Sequence, residues 1–220
     1  VLTAATAEFA LFMMGALARR LPDSERLVRE GAWGAWHPWH PFLGEEVTGG
    51  VVAVVGCGRI GRAFAERCVG LDMDLLLVAR TLPEGWLDDV RAIQAIRARM
   101  GARAASAEVV SLDEALPRAD FVSLHVPLLA HGPTPTLRLM NAARLATMRG
   151  SAFLINTSRG AVVDEAALVQ ALRERRIAGA ALDVFEREPL PADSPLLAED
   201  LRDRVRLYHH FGSGTRQTRL

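Results

Sequence analysis

The stretch Val51-Val-Ala-Val-Val-Gly-Cys-Gly-Arg-Ile-Gly-Arg-Ala-Phe-Ala65 runs from a β-branched apolar segment through Gly-x-Gly-x-x-Gly into helix-forming residues. This order predicts the strand, turn and helix of a dinucleotide-binding unit. Gly56 permits the tight turn, Gly58 leaves room for a pyrophosphate, and Gly61 lets the helix approach the strand. The helix N-terminus offers unpaired N–H groups to phosphates. The alternative is a glycine-rich turn in another kind of α/β protein.

The composition argues against a strongly charged partner. The 220 residues include 26 Lys plus Arg and 26 Asp plus Glu, so we expect neither nucleic acid nor an acidic membrane as the main partner. Both cysteines, Cys57 and Cys68, lie in or beside the first turn and helix, where a disulfide framework would make little sense. With no signal peptide visible, these features favour a cytoplasmic location.

Short apolar strands alternate with helices along the rest of the chain. Strands are predicted at residues 51–55, 74–79, 109–110, 121–126, 152–156, 180–185 and 205–208, and helices at 86–100 and 164–175. Ser111 and Glu114 predict a capping box before a brief helix. Such alternation is typical of a parallel sheet covered on both faces. We therefore expect an α/β fold with a doubly wound parallel sheet, a Rossmann-type NAD(P)-binding domain.

The first part of the chain is predicted to form interfaces. Residues 4–20 are helix formers that are apolar all round from 9 to 18, with Thr3 available as the N-cap, so we expect this helix to be buried against another domain or subunit. It is too short to span a membrane. Residues 31–50 are predicted to be an irregular loop with Trp33, Trp36 and Trp39. This apolar surface favours a homodimer, unless it covers only a substrate domain.

The sequence His37-Pro-Trp-His40 raises the question of a metal site. Two histidines alone, without nearby Cys or acidic ligands at suitable spacing, favour an aromatic interface loop. We therefore expect no metal.

Polar residues follow the later strands. Arg159, Glu188 and His210 come after the strands at 152–156, 180–185 and 205–208. In open sheets the ligand lies across the carboxyl ends of the strands, so these side chains are expected at one edge. An Arg fork for a carboxylate, a His that exchanges a proton and a carboxylate that orients it suit reduction of a 2-oxo acid. Each residue alone has a structural reading: a helix cap, a solvated loop residue, a surface histidine.

Several motifs occur in an order that supports a family resemblance. They are Val55-Gly-Cys-Gly-Arg-Ile-Gly61, Ser123-Leu-His-Val-Pro-Leu128, Asn156-Thr-Ser-Arg-Gly160, Val163-Asp-Glu-Ala-Ala-Leu168, Ala178-Gly-Ala-Ala-Leu-Asp-Val-Phe-Glu-Arg-Glu-Pro-Leu190 and His210-Phe-Gly-Ser-Gly-Thr215. Together they resemble the D-isomer-specific 2-hydroxyacid dehydrogenases, most of all the glyoxylate and hydroxypyruvate reductases. A competing class on this fold is the transcriptional co-repressors that use the nucleotide as a sensor.

The resemblance implies a role for individual residues. Arg159 would bind the substrate carboxylate and carbonyl, His210 would be the acid/base, and Glu188 its partner. Asp183 would face the nicotinamide amide. The implied cofactor contacts, besides Gly56, Gly58 and Gly61, are Arg59, Ile60, Val126, Pro127, Thr136, Thr157, Ser158, Gly212 and Ser213.

The chain also departs from the family pattern. His209 stands where the family has Pro, and His210 is kept as the acid/base because the Phe211-Gly-Ser-Gly-Thr215 motif sets the register. Residues 129–137 form a longer loop than usual, which leaves the contact of Thr136 with the cofactor open. The segment at residues 84–103 is longer too, with no function assigned to it.

The resemblance also predicts how the chain is organised. Residues 1–220 would be the cofactor domain of a longer enzyme, with a domain-contacting or dimer helix at 1–20, an interface loop at 21–50 and the Rossmann core at 51–216. Most of the substrate domain would be missing, so we expect this chain to bind nucleotide but to catalyse poorly.

The end of the second strand bears on the choice of cofactor. NAD-specific sites place an acid there for the ribose hydroxyls, whereas this chain has Ala79, followed by Arg80 and Thr81. Asp74 lies at the opposite end of the strand. A fork-shaped cation and a small hydroxyl suit a 2′-phosphate. We therefore expect NADP(H) to be preferred and NAD(H) to remain possible, the alternative being a relaxed site.

Overall fold

Seven parallel strands form the centre of the molecule in the computed structural model, which describes residues 2–35, 37 and 43–219. The strands are β1 Val51–Val55, β2 Asp74–Val78, β3 Ala107–Val109, β4 Phe121–Leu124, β5 Phe153–Asn156, β6 Gly179–Leu182 and β7 Val205–Leu207. The helices are α1 Leu2–Ala18, α2 Leu21–Arg29, α3 Arg59–Val69, α4 Trp86–Arg99, α5 Leu112–Ala115, α6 Ala142–Thr147, α7 Glu165–Arg173 and α8 Arg216–Arg219. The predicted doubly wound parallel sheet is confirmed.

The strand order reverses between β1 and β4. The order across the sheet is β3-β2-β1-β4-β5-β6-β7. The chain therefore winds outward from β1 through β2 and β3, and then returns so that β4 pairs with the other side of β1. Alternate residues of β1 face opposite layers. Val52 and Val54 pack with α1 and α3, whereas Ala53 and Val55 pack with α5 and α7. This reversal opens a crevice at the carboxyl ends of β1 and β4, where such folds bind ligands.

Helix α1 packs on its own domain. Its buried side, which includes Ala10, Met13, Met14 and Leu17, contacts α3, β5 and β6. The expectation that another domain or subunit must bury this helix is corrected for that side, because this sheet already offers an apolar face. The helix also begins at Leu2, so Thr3 lies inside it and does not cap it. Phe12 remains 60% exposed, and the homodimer stays a prediction.

Helix α2 lies within residues 21–50, which the sequence predicts to be a loop, and corrects that prediction. Its single buried residue is Asp23, which binds Arg206 of β7, 183 residues away. The helix does carry local signals, Pro22 and Asp23 in its first turn and Arg26 and Arg29 in its last, whereas the ion pair that joins it to β7 leaves no local pattern. Among the described residues no single helix could cross a membrane by length and composition, and α1 and α2 meet that test only as a pair bent by 59°. Residues 31–35, 37 and 43–50 are irregular, as predicted.

Other elements match the sequence with shifted boundaries. The capping box of Ser111 and Glu114 is present, whereas α6, capped by Asn141, was not predicted. Helix α4 buries Val90 and Gln94 and leaves Ile93 and Ile96 exposed, and its C-cap residue Met100 is exposed too. Strands β4 and β6 end at Leu124 and Leu182, earlier than predicted, although the N–H groups of His125 and Asp183 still donate to the neighbouring strands.

The pair of Asp23 and Arg206 yields a stability prediction. Both side chains are nearly inaccessible, at 4% and 8% exposure, so Asp23→Asn leaves a buried guanidinium without its counter-charge. We expect a loss of about 3–5 kcal/mol in the free energy of unfolding, measured by urea denaturation. The control is Glu25→Gln on the same helix, which removes an exposed pair with Arg29 and should change stability little. Similar losses in both variants would contradict this assignment.

Candidate active site

The glycine-rich turn is shaped by two close backbone contacts. Gly56 has a φ of +96°, and a Cβ there would lie 2.7 Å from Val126 Cγ1 and 2.9 Å from the carbonyl carbon of His125. A Cβ on Gly61 would lie 2.0 Å from the Gly56 carbonyl oxygen. Neither position has space for a side chain. Residues 56 and 61 must therefore be glycine for α3 to rest on the ends of β1 and β4.

The middle glycine differs from the other two. A Cβ on Gly58 would meet nothing within 4 Å, so packing does not require glycine there. Gly58 is the N-cap of α3 and makes no side-chain cap, so no capping side chain occupies the first N–H groups of the helix. Open space beside the helix N-terminus fits a pyrophosphate, which binds there through backbone N–H groups and the helix dipole.

A cavity of about 830 Å³ lies at the carboxyl ends of β1, β2 and β4. Its volume falls within the range of about 300–1,000 Å³ typical of cofactor sites. It is lined by these predicted cofactor residues: Gly56, Gly58, Arg80, Thr81, Val126, Pro127 and Thr136. Residues without a predicted contact also line it: Arg62, Ala79, His125, Thr134 and Arg144.

The other predicted cofactor residues lie outside this cavity. They are Arg59, Ile60, Gly61, Thr157, Ser158, Asp183, Gly212 and Ser213, on α3 or after β5, β6 and β7. Thr157 Oγ1 is buried and has no hydrogen-bond partner in the described part of the chain. An orphaned hydroxyl after β5 fits a polar ligand along this edge. The Ser158 hydroxyl instead donates to Asn156 Oδ1 at 2.8 Å and shapes the turn.

Arg159 and Glu188 are brought to the same region by contact between their loops. A Cβ on Gly160 would lie 1.7 Å from the carbonyl carbon of Phe185, so the backbones after β5 and β6 touch. Asn156 Nδ2 donates to the Arg159 carbonyl at 3.1 Å and holds the first loop. Arg159 is an exposed residue at this edge, and its Nη1 donates to the Ser158 carbonyl at 2.6 Å.

His210 and Glu188 form a hydrogen-bonded pair. His210 Nδ1 lies 2.8 Å from Glu188 Oε2, and the Phe185 backbone N–H donates to Glu188 Oε1 at 3.0 Å. Partial burial alone would raise the pKa of the Glu188 carboxyl. The hydrogen bonds from His210 and Phe185, with the charges of His210 and Arg159, outweigh it and hold this pKa below its usual range. Glu188 is therefore ionised near neutral pH and orients the imidazole.

Asp183 anchors the loop that carries His210. Its carboxylate accepts the backbone N–H groups of Phe211 at 2.6 Å and Gly212 at 2.7 Å, and its carbonyl accepts that of His210 at 2.8 Å. Burial raises the pKa of this carboxyl, although the two N–H donors and the nearby histidines act in the opposite direction. The structure thus shows a loop-holding role, and contact of Asp183 with a nicotinamide stays a prediction.

An aromatic cluster joins this loop to α1. Phe9 packs edge-on against Tyr208, with ring centroids 5.2 Å apart, and against Phe211, at 6.1 Å. His209 stacks on Phe211 at 5.1 Å. The two neighbouring histidines thus have different surroundings, since His210 is the one that contacts Glu188.

Thr136 has a structural task that the sequence did not reveal. Its hydroxyl accepts the Leu129 N–H at 2.7 Å and donates to the Pro127 carbonyl. Thr136 therefore closes the base of the long loop, and its hydroxyl is already engaged there.

His125 is the main residue of this region for which the sequence predicts no role. Its Nε2 lies 2.9 Å from Ser123 Oγ, and its Nδ1 is buried without a partner in the part of the chain that is described. Burial lowers the pKa of His125 to about 3, so the ring is neutral at physiological pH. The available signal was its place directly after β4.

Within residues 2–35, 37 and 43–219, no group of three or more His, Cys, Asp or Glu side chains could hold a metal ion. Of the histidine pair considered in the sequence, His40 lies outside the described residues, as do Trp36 and Trp39.

Known proteins resemble this chain over nearly its full length. Residues 11–212 match the model of the D-isomer specific 2-hydroxyacid dehydrogenase, NAD binding domain. A glyoxylate reductase of Korarchaeum cryptofilum is 42% identical over 219 residues, which are 100% of this chain and 59% of that protein.

Solved structures agree with this match. A Thermus thermophilus protein has 40% identity and a TM-score of 0.81, with 99% of this chain and 61% of that one covered. An NADPH-dependent glyoxylate/hydroxypyruvate reductase of Sinorhizobium meliloti, solved with NADP and malonate, has 32% identity and a TM-score of 0.78, with 99% and 60% covered. The chain thus spans about three fifths of the length of these relatives.

The glycine turn yields a prediction that separates binding from folding. Gly58→Ala adds a methyl group where nothing packs but where the pyrophosphate is expected, at a residue with an ordinary negative φ of −69°. We expect it to keep the thermal midpoint and to weaken nucleotide binding at least about tenfold, as measured by calorimetric titration. Gly61→Ala should instead lower the thermal midpoint, because its methyl group overlaps the Gly56 carbonyl. Unchanged binding by a stable Gly58→Ala variant would argue against a pyrophosphate at this turn.

Proposed function

This chain belongs to the D-isomer-specific 2-hydroxyacid dehydrogenase family, and on that basis we propose that it reduces a small 2-oxo acid to the D-2-hydroxy acid. Substrates of the glyoxylate or hydroxypyruvate type fit best, because the named relatives act on these acids. The observation that carries the proposal is the pair of His210 and Glu188 beside Arg159, at the sheet edge that holds the nucleotide-sized cavity.

Each of the three side chains has a task in this reaction. Arg159 offers a planar fork of N–H donors to the substrate carboxylate. Glu188 engages His210 Nδ1, which leaves Nε2 to donate a proton to the carbonyl oxygen as it becomes a hydroxyl. The ionised carboxylate also stabilises the charged imidazole before that transfer. A nicotinamide cofactor, when bound, supplies the hydride.

The activity can be tested in a polypeptide that joins this chain to a substrate domain of the family. We expect oxidation of NADPH with glyoxylate or hydroxypyruvate, and His210→Asn should lower kcat by about 10²–10⁴. Arg159→Gln should raise KM for the 2-oxo acid, because a bidentate carboxylate contact is lost. The matched control is His209→Asn, which changes the neighbouring ring that stacks on Phe211.

Two results would count against the enzyme. Equal loss of activity in the His209 and His210 variants would remove the acid/base assignment. Nucleotide binding without turnover of any 2-oxo acid would favour the sensor class. The chain alone should bind nucleotide and turn over slowly, since one wall of the substrate pocket would come from the other domain.

We further propose that NADPH is the preferred nucleotide. Ala79, Arg80 and Thr81 all line the cavity at the end of β2, and residues 78–83 include no acid that would repel a 2′-phosphate. Asp74 lies at the other end of β2, where it binds Arg103 and Ser106. The relative from S. meliloti is itself named as NADPH-dependent.

Titration of the two reduced nucleotides tests this preference. NADPH should bind more tightly than NADH. Arg80→Ala should weaken the binding of NADPH, but not that of NADH, by about tenfold or more, because a charge-assisted phosphate contact is lost. Ala79→Asp should shift the preference toward NADH, since the new carboxylate accepts ribose hydroxyls and repels the phosphate. Tighter binding of NADH by the unaltered chain would refute the assignment.

A further inference from the structure

The loop at residues 130–135, here named the Thr134 loop, is the part of the cavity rim that the function above leaves unexplained. Its base is closed by the backbone N–H groups of Thr136 and Leu137, which donate to the Leu129 carbonyl at 2.8 and 3.2 Å. The Thr136 hydroxyl adds its contacts with Leu129 and Pro127. The loop therefore projects from a defined base, although its tip is exposed.

The tip of this loop reaches the end of β2. Arg80 Nη1 donates a hydrogen bond to Thr134 Oγ1 at 3.2 Å, between residues 54 positions apart. Arg80, Thr81, Thr134 and Pro135 all line the same cavity. The segment after β4 thus crosses the cavity mouth and contacts the cation that the cofactor proposal assigns to a phosphate.

The chemistry of this contact leaves the cation available. In the described part of the chain, the hydrogen-bond partner of the Arg80 guanidinium is a neutral hydroxyl and not a carboxylate. A hydroxyl orients the guanidinium without neutralising it. Because a guanidinium has five N–H donors, four remain for a second ligand.

We propose that Thr134 is a specificity-determining residue that positions Arg80 for the 2′-phosphate of NADPH. A free arginine side chain loses much of its rotamer freedom when it binds a ligand, and a side chain already held in place loses less. This gain applies to NADPH alone, because NADH has no 2′-phosphate for Arg80 to bind. The inference rests on the proposed preference for NADPH, and it names the residue outside the β2 end that supports it.

Three variants of the whole 220-residue chain test the proposal. Thr134→Val removes the acceptor at nearly constant volume, Thr134→Ser keeps a hydroxyl, and Thr48→Val makes the same change at an exposed turn before β1. The dissociation constants of NADPH and NADH are measured by fluorescence titration of the reduced nicotinamide. We expect Thr134→Val to raise the dissociation constant of NADPH by about three- to tenfold and to leave that of NADH unchanged. Thr134→Ser and Thr48→Val should both match the unaltered chain.

A fourth measurement asks whether Thr134 acts through Arg80. In the Arg80→Ala background, Thr134→Val should have no further effect on NADPH binding, because the side chain that it positions is gone. A persisting effect would show a direct contact and overturn the positioning role. Equal weakening of NADPH binding and NADH binding would show that Thr134 only supports the structure of the loop, and would also overturn the positioning role.

The outcomes also separate this inference from the cofactor proposal. A chain that prefers NADPH, and keeps the same ratio of dissociation constants in Thr134→Val, overturns the role of Thr134 alone. A chain that binds NADH more tightly overturns both.

Discussion

The contact of three backbone segments at Gly56, Gly61 and His125 is the constraint on which the nucleotide site depends. The end of β1, the first turn of α3 and the segment after β4 approach so closely that a Cβ on Gly61 would lie 2.0 Å from the Gly56 carbonyl oxygen. This contact directs the N-terminus of α3 at the crevice where the strand order reverses. The open space at Gly58, and the position of the cavity, follow from it.

A second close approach organises the proposed catalytic groups. Gly160 lies against the backbone of Phe185, which sets the loop of Arg159 beside the loop of Glu188. The buried carboxylate of Asp183 then holds the backbone that carries His210. The side chains of the proposed active site thus stand on loops, and strands with close backbone contacts position them.

Charge is used differently in the core and at the edge. Asp23 and Arg206 are buried together and join α2 to β7, so their pairing serves the fold. Glu188 and His210 are 37% and 51% exposed at the carboxyl edge of the sheet. A partly exposed pair adds little to stability, and in the proposed reaction it orients the imidazole for proton transfer.

Much of the fold could be predicted from local patterns. Apolar runs of strand length, helical spacing and the glycine spacing at 56, 58 and 61 determined a doubly wound parallel sheet with a nucleotide turn at β1. The capping box at Ser111 and Glu114 was visible as well, because its partners lie within one helical turn. The order of strands along the chain was also enough to place Arg159, Glu188 and His210 at one edge, since the carboxyl ends of parallel strands coincide.

The rest was decided by contacts between residues far apart in sequence. The sequence alone determined which residue types follow each strand, but not which of them touch. Helix α2 is joined to β7 by a side-chain pair 183 residues apart, and the buried side of α1 packs on its own sheet, which periodicity cannot distinguish from a partner subunit. Only in the folded chain does the Thr136 hydroxyl accept a hydrogen bond from Leu129 at the base of the loop, and the Thr134 hydroxyl one from Arg80. Local patterns record propensity and spacing along the chain. These contacts instead join residues that become neighbours only when the chain folds, so no periodic pattern encodes them.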